Sequence, residues 1–362
     1  MKPDPADCVH VRERAGVIMQ LMRPNWVLIA LGIALVAAGL WNVTRRRSPA
    51  QPHQAAAHPV VAEATERQPE QELLWSQVFS LSPGGRFSLR TEGGSVRLEG
   101  GEGDSLVVRV LVRGVRAERA RAWWRRHHLE VRAYPNEVAI AHESPRREAL
   151  WEAFRDYELE FHVRAPRALQ AHLTSAGGDI FASAFAGRLE ARTAGGEIEL
   201  VGVGGALAVQ SSGGNIRLRD FAASEAQISA SGGDIRLDSG RAEDLRVRTS
   251  GGDIRLKAVR VGRSLALTAS GGDIEAWLAE LGSEVNSLRA AGGDVVLYLP
   301  RSIPLRMRLR GDRVRVDSAL AAAHVVWEGG RSGIHLEQSP KAEGRPLEVR
   351  ASGGAILLRA LR

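Results

Sequence analysis

A short phrase built on two consecutive glycines recurs seven times in the second half of this 362-residue chain. The first glycines of the seven pairs are Gly177, Gly195, Gly213, Gly232, Gly251, Gly271 and Gly292. Successive pairs are separated by 18 to 21 residues. A short, nearly constant period of this kind indicates a repeat architecture, in which each unit buries its apolar side chains only by stacking on its neighbours.

Apolar residues alternate with polar ones on both sides of each pair. In one unit Leu245, Val247 and Thr249 precede the glycines, and Ile254 and Leu256 follow them. This period of two predicts a strand, a glycine corner and a second strand in every unit, and it excludes a helix. Units stacked about 4.8 Å apart would pair every strand edge. The predicted fold class is therefore all-β, a β-solenoid (β-helix) of coils of about 19 residues.

Two columns of side chains are expected to run along the inside of the solenoid. The aliphatic column consists of Ile180, Ile198, Ile216, Ile235, Ile254, Ile274 and Val295. The column of small residues consists of Ser175, Thr193, Ser211, Ala230, Thr249, Ala269 and Ala290. At the corner between them, we expect the glycine pair to supply a positive φ that bulkier residues adopt only at a cost.

A polar column follows the glycines directly and is the strongest candidate for chemistry. Its members are Asp179, Glu197, Asn215, Asp234, Asp253, Asp273 and Asp294. Carboxylates stacked about 5 Å apart repel one another, so they need a cation or hydrogen-bond donors. We interpret the column as a structural ladder whose side chains accept hydrogen bonds from corner amides, with a cation-binding ladder as the alternative.

The rest of the chain divides around these repeats. Residues 26–43 form an uncharged, apolar run that predicts a single transmembrane helix, because 18 helical residues span about 27 Å. The other predicted segments are a short N-terminal segment at 1–25, a flexible linker at 44–78 and the solenoid domain at 79–362, which comprises a helical insertion at about 116–131, regular repeats at 173–299 and irregular coils at 300–362.

The repeated phrase, [TS]-[SA]-G-G-[DEN]-[IV]-x-[LA], stands behind this apolar segment and recurs about every 19 residues. In this respect the chain resembles the bacterial putative-adhesin family of β-strand repeats, a domain of unknown function. The resemblance covers roughly residues 79–362. It implies a β-solenoid fold, attachment to a membrane and a location in the cell envelope, and it implies no reaction.

The net charge is +7 and comes from arginine, since the chain has three lysines. Acidic residues are interspersed throughout, which favours a solvated mixed surface over a nucleic-acid partner. Arg306, Arg308 and Arg310 alternate with apolar residues and would lie on one face of a strand. We expect them to bind an anionic envelope polymer or lipid. The alternative is that they guard a sheet edge against aggregation.

No catalytic or cofactor motif is present. HExxH, GxSxG, P-loop and dinucleotide fingerprints are missing, and one cysteine, Cys8, excludes internal disulfides and cysteine-based metal sites. We therefore predict a non-catalytic, membrane-anchored binding, adhesion-like or scaffolding module without metal or cofactor. The alternatives are a polysaccharide-acting enzyme and a self-assembling scaffold.

The predicted location is the bacterial inner membrane, with a single pass. The solenoid is expected outside the cytoplasm, and a cytoplasmic orientation is the alternative because arginines flank the apolar run on both sides. The expected partners are the membrane, an anionic envelope polymer or lipid, or another envelope protein.

Overall fold

The computed structural model describes residues 71–114, 117–144, 158–320, 325–330, 333–338 and 344–361. These residues form one short helix, α1 (Ala117–Trp124), and 23 strands. The strands are β1 (Gln71–Ser80), β2 (Arg86–Thr91), β3 (Ser95–Gly101), β4 (Ser105–Arg113), β5 (His128–Tyr134), β6 (Glu137–Glu143), β7 (Glu158–Pro166), β8 (Gln170–Ser175), β9 (Ile180–Ser183), β10 (Arg188–Thr193), β11 (Ile198–Val201), β12 (Gly204–Ser211), β13 (Ile216–Arg219), β14 (Ala222–Ala230), β15 (Ile235–Thr249), β16 (Ile254–Ala269), β17 (Ile274–Glu280), β18 (Val285–Ala290), β19 (Val295–Pro300), β20 (Leu305–Val316), β21 (Val325–Gly330), β22 (Gly333–Gln338) and β23 (Arg345–Leu361).

Two stacks of strands run side by side along the solenoid. The pre-glycine sheet contains the segments that lead into each glycine pair and has the order β5, β6, β2, β8, β10, β12, β14, β15, β16, β18, β23, β20, β22, β21. The post-glycine sheet contains the segments that follow and has the order β1, β4, β7, β3, β9, β11, β13, β15, β16, β17, β19, β23, β20. Strands β15, β16, β20 and β23 bend from one sheet into the other.

The repeats pair in parallel and in register, so each side-chain column is continuous. Ile235, for example, lies between Ile216 and Ile254 in neighbouring coils. Every member of the aliphatic column is at most 1% exposed, and every member of the small-residue column is at most 4% exposed. The alternation seen in the sequence therefore becomes an inside and an outside, because successive strand residues point to opposite faces.

Hydroxyl groups in the small-residue column connect neighbouring corners. Thr193 Oγ1 accepts a hydrogen bond from the amide of Gly196 at 3.1 Å and donates one to the carbonyl of Gly178, in the preceding coil, at 2.9 Å. Ser175, Ser211 and Thr249 repeat this arrangement. A buried hydroxyl without hydrogen-bond partners would be costly. Here each hydroxyl has partners, and it also satisfies the hydrogen-bonding groups of the corner backbone.

The glycine corners work differently from the prediction. None of the seven repeated pairs has φ in the left-handed region. The second glycine is needed because coils approach closely there: a Cβ on Gly233 would lie 2.3 Å from the carbonyl oxygen of Gly214. A Cβ on the preceding Gly232 would meet nothing closer than 3.5 Å. The expected positive φ at these corners is thus wrong, and close backbone approach is the physical reason for the second glycine.

In five successive coils a left-handed residue lies instead at the next corner. There Gly202 has φ +62°, and four residues with side chains take the equivalent place with φ of 52° to 54°. These four are Ala184, Asp220, Ser239 and Ala258. Because a Cβ makes this conformation unfavourable, the stacked coils on either side must hold these residues in it.

Both described ends of the solenoid abandon parallel pairing. At one end β1 pairs antiparallel with β4, and β4 pairs antiparallel with β7. At the other end β20 pairs antiparallel with β22, which pairs antiparallel with β21. Strand β23 lies between β20 and the coil of β18 and β19, so the last strand of the chain is not the last rung.

The boundaries also differ from the sequence prediction. Strand β1 begins at Gln71, within the segment 44–78 that was expected to be a linker. The helical insertion expected at about 116–131 contains a helix only to Trp124, and β5 begins at His128.

One part of the predicted fold class, the transmembrane helix that precedes the solenoid, needs a correction. Among the described residues no helix is long and apolar enough to cross a membrane. The helix α1 has eight residues and is about 12 Å long, far short of a bilayer core of about 30 Å. The segment 26–43 lies outside the described residues. The fold class is therefore all-β, and the preceding transmembrane helix is not supported.

Candidate functional site

The polar ladder after the glycines lies along the post-glycine sheet and is held by the backbone of the next coil. Oδ1 of Asp253 accepts a hydrogen bond from the amide of Asp273 at 2.9 Å, and Oδ1 of Asp273 accepts one from the amide of Asp294 at 2.8 Å. Asp179, Asn215, Asp234 and Asp294 accept in the same way. Each of these side chains therefore links two coils, rather than closing a turn within its own coil.

Arginines on the same sheet contact three of the six acidic members of the ladder, Glu197, Asp234 and Asp253. Arg255 contacts Asp253 at 2.7 Å and Asp234 at 3.5 Å, and Arg217 contacts Glu197 at 3.0 Å. The part of the chain that the structure describes contains no group of three or more metal-ligating side chains placed to hold an ion. With amides on one oxygen and guanidinium groups on the other, the geometry favours the structural interpretation of this column.

The pre-glycine sheet presents a different surface. Ten outward side chains occupy one line across ten adjacent strands, and six of them are arginines. We call this line the arginine row; its members, in spatial order, are Arg90, Thr174, Arg192, Gln210, Ser229, Arg248, Thr268, Arg289, Arg350 and Arg310. Nine steps between strands make the row about 43 Å long. It contains no acidic residue.

All six arginines of the row are exposed. Two have acidic neighbours on the adjacent line of side chains: Arg192 pairs with Glu190, and Arg350 pairs with Glu348 at 2.5 Å. The other four, Arg90, Arg248, Arg289 and Arg310, make no ion pair with any described residue. Like charges one or two strands apart repel, so this surface favours an anionic ligand.

A groove interrupts the middle of the row. It is open to solvent, has a volume of about 420 Å³, and runs across five strands from Arg192 to Thr268. Its outer lining also includes Gln210, Ser229 and Thr268, while Ala208 and Ala266 lie on the adjacent line of side chains. Gln227 and Arg246 lie between the two alanines on this line and also line the groove.

Acidic residues near the groove already have basic partners. Glu225 accepts hydrogen bonds from Arg246 at 3.0 Å and from Gln227 at 2.8 Å. Asp244 accepts from Arg263, and these hydrogen bonds hold the pKa of Asp244 down at about 2. Both acids thus have basic partners, and neither contacts Arg248.

The three predicted arginines lie on β20, near one end of the same sheet. Arg306, Arg308 and Arg310 are all exposed and alternate with the buried Leu305 and Met307. Arg310 is a member of the arginine row. Arg308 is opposite Glu348 in register, and Arg306 lies one line further out. The structure therefore brings one of the three into a long row of arginines; their role in binding stays a prediction.

The sequence prediction missed five arginines of the row: Arg90, Arg192, Arg248, Arg289 and Arg350. In each case the arginine immediately precedes a residue of the small-residue column or its continuation, as Arg248 precedes Thr249. Aligning the repeats on that column would have placed these residues in one line. Only the insertion of β23 places Arg350 between Arg289 and Arg310.

A separate polar cluster lies near the other end of this sheet. Nδ1 of His142 is 2.9 Å from Oγ1 of Thr91, and Nε2 of His142 is 2.9 Å from Nδ1 of His127. Both rings stack on Trp124. Burial, and then the other histidine, lowers the pKa of His142 to about 4; burial, and then Arg126, lowers that of His127 to about 4. Both rings are therefore neutral at pH 7.

Comparison with known proteins identifies the repeat region. Residues 169–309 match the model of the Toastrack DUF4097 family, and all seven glycine pairs lie inside this segment. The match confirms the resemblance to a putative-adhesin family of unknown function. None of the curated proteins matches the chain.

Several solved structures are similar to this chain at low identity. A putative adhesin from Parabacteroides distasonis ATCC 8503 is 12% identical with a TM-score of 0.41, covering 80% of this chain and 97% of its own. A putative lipid binding protein from the same organism is 13% identical with a TM-score of 0.39, covering 80% and 96%. A putative adhesin from Bacteroides fragilis NCTC 9343 is 11% identical with a TM-score of 0.34, covering 80% and 98%.

Proposed function

We propose that this chain is a non-catalytic binding module whose arginine row holds a linear anionic polymer. The observation that carries the proposal is a straight line of exposed guanidinium groups, four of which have no ionic partner among the described residues. A guanidinium group forms a two-pronged contact with a carboxylate or a phosphate, so each arginine is a ready contact point.

The spacing of the row favours a polymer over a small anion. Neighbouring arginines are one to three strands apart, or about 5 to 14 Å. A single small anion would meet one guanidinium group, whereas an extended chain of repeated charges can meet several at once. Several weak contacts on one chain add to a much stronger attachment, because each later contact forms within the same complex.

A binding or adhesion-like role is what the names of the neighbouring structures describe for those proteins. Our proposal gives this chain the same kind of role, and it rests on the chain's own arginine row. A location outside the cytoplasm, in a bacterial envelope, stays a prediction.

The test uses the full chain and polygalacturonate, a linear polymer with one carboxylate on each sugar. Binding is measured by isothermal titration at low and at moderate salt for wild type and for the variant R248Q/R289Q/R310Q. We expect the variant to lose affinity by about tenfold or more, and the salt dependence to weaken with it, since exposed charges are screened by salt.

The matched control is R217Q/R236Q/R255Q on the post-glycine sheet. It removes the same three charges, but from side chains that already contact ladder carboxylates. If this control loses as much affinity as the row variant, binding depends on net charge alone and the proposal is wrong. Thermal melts of all three proteins separate loss of binding from loss of folding.

A further inference from the structure

We infer that the groove in the middle of the arginine row is a sugar-binding subsite, so that the polymer held by the row is an acidic polysaccharide. This inference rests on the proposed function, because it assigns a ligand class to the same surface. Its evidence is the set of neutral polar groups between the arginines.

Three polar side chains in the groove are available for a ligand. Gln210, Ser229 and Thr268 form no side-chain hydrogen bond with any described residue. With Arg248 they occupy consecutive positions of the row, on four adjacent strands. A carboxamide and two hydroxyls can each donate and accept, which suits the hydroxyl groups of a sugar.

The groove, with a volume of about 420 Å³, has room for a sugar ring at the sheet surface. Ala208 and Ala266 have short side chains that leave room at the surface, and the backbone below them is supported by the buried Val209, Ile228 and Val247. Sites that recognise small polar groups commonly combine an apolar floor with a few directed hydrogen-bonding groups. Rigid strands position those groups more exactly than loops do.

Charge fixes the rest of the assignment. Arg248 has no ionic partner, and Arg192 lies about 14 Å away across three strands at one end of the groove. Arg192 already pairs with Glu190, so Arg248 is the free charge at this groove. Sugar rings lying between the two arginines would place hydroxyl groups over Gln210 and Ser229 and a carboxylate at Arg248. The oxygens of a polyphosphate only accept hydrogen bonds, whereas sugar hydroxyls both donate and accept and so match both functions of Gln210, Ser229 and Thr268.

The experiment compares three probes on the full chain: polygalacturonate, polyphosphate and vesicles that contain an anionic phospholipid. The groove variant Q210A/S229A/T268V removes three hydrogen-bonding groups and no charge. We expect it to bind polygalacturonate about tenfold more weakly and polyphosphate as wild type does. A second variant, Ala208→Leu, fills the groove from the outer face and should have the same selective effect.

The control is T174V/S287A, which removes two hydroxyls from the same face outside the groove. It should bind polygalacturonate like wild type. If both groove variants leave polygalacturonate binding unchanged, or weaken polyphosphate binding equally, the sugar subsite is refuted.

The probes also separate this inference from the proposed function. If the wild type binds polyphosphate or vesicles but not polygalacturonate, the sugar subsite is refuted. If the probe that binds is polyphosphate, the proposed function as a binder of anionic polymers still stands. Absence of binding to all three probes refutes both.

Discussion

Both sheets of the solenoid carry outward arginines. In the regular repeats the arginines that follow a glycine pair contact carboxylates, whereas Arg248 and Arg289 of the arginine row make no ion pair with any described residue. On the post-glycine sheet Arg217, Arg236 and Arg255 contact carboxylates of the polar ladder. On the pre-glycine sheet Arg248 and Arg289 lie in a row without acidic members. The same residue type therefore stabilises one face and remains available on the other.

The difference follows from which position of the repeat carries the acid. Asp234, directly after the glycines, accepts a hydrogen bond from the next coil's amide and contacts Arg255 on its own sheet, so its charge is balanced inside the protein. The line of residues before the small-residue column has no such carboxylate. An uncompensated line of charge contributes nothing to stability and is typical of a binding surface.

The largest effect is expected at the glycine corner that separates the two sheets. Gly233→Ala would place a Cβ 2.3 Å from the backbone oxygen of Gly214, so one coil must move away from the next. We expect a loss of about 3 kcal/mol or more in the free energy of unfolding.

Gly232→Ala is the matched control for this change. Its nearest contacts are at ordinary van der Waals distance, and Ala restricts the unfolded chain, so stability should stay equal or rise slightly. Urea denaturation of both variants checks the difference. Equal losses would show that the two glycines are needed for the same reason.

A smaller effect is expected in the polar ladder. Asp253→Ala leaves the amide of Asp273 without its acceptor and frees Arg255 from its 2.7 Å contact. We expect a loss of about 1–2 kcal/mol in the free energy of unfolding, because the variant removes a hydrogen bond to a charged carboxylate between two coils together with an ion pair.

Asp253→Asn should recover most of this loss, since Asn215 already performs the same role at its own rung. Removing a charge from the other sheet, as in Arg248→Ala, should change stability by no more than about 0.5 kcal/mol. Chemical denaturation at pH 7 measures all three. A loss for Arg248→Ala as large as that for Asp253→Ala would contradict the contrast between the sheets.

Acid is expected to weaken the end of the pre-glycine sheet that holds His127 and His142. Their pKa values are about 4 in the folded protein and about 6.5 when unfolded, so the unfolded chain binds protons first as the pH falls. Stability should be complete above pH 6.5 and decline as the pH falls toward 4, by an amount on the order of 1–2 kcal/mol after allowing for partial exposure.

Thermal melts between pH 7 and pH 4 check this decline, with His127→Phe as the comparison. The phenyl ring keeps an aromatic contact with Trp124 and cannot titrate, so the decline should become shallower. An identical decline in the variant would assign the acid sensitivity to other groups.

The smallest effect is expected at the left-handed corner. Ala258 has φ +54°, and Gly202 occupies the equivalent place in another coil. Ala258→Gly should raise stability by about 0.5 kcal/mol, because relief of the strained backbone slightly exceeds the entropy cost of glycine. Ala222→Gly, at an exposed strand position without positive φ, should lower stability by about 0.5–1 kcal/mol. Melting temperatures that fall equally in both would contradict the strain at Ala258.

The sequence by itself determined the solenoid, its period and its two buried columns. An alternating pattern repeated about every 19 residues has one way to bury its apolar side, and that is to stack coil on coil in register. The polar ladder could be recognised for the same reason, since its residues occupy a fixed place beside the glycines.

The tertiary structure alone decided which arginines lie together. Arg289, Arg350 and Arg310 are distant in the chain, and they become neighbours because β23 inserts between β18 and β20. The tertiary structure also explains why the second glycine is required. The distance between two stacked coils cannot be read from the sequence of either coil. The local alternation of apolar and polar residues determines whether a side chain points into the core or into solvent. The order of strands, which depends on long-range pairing, determines which side chains are its neighbours.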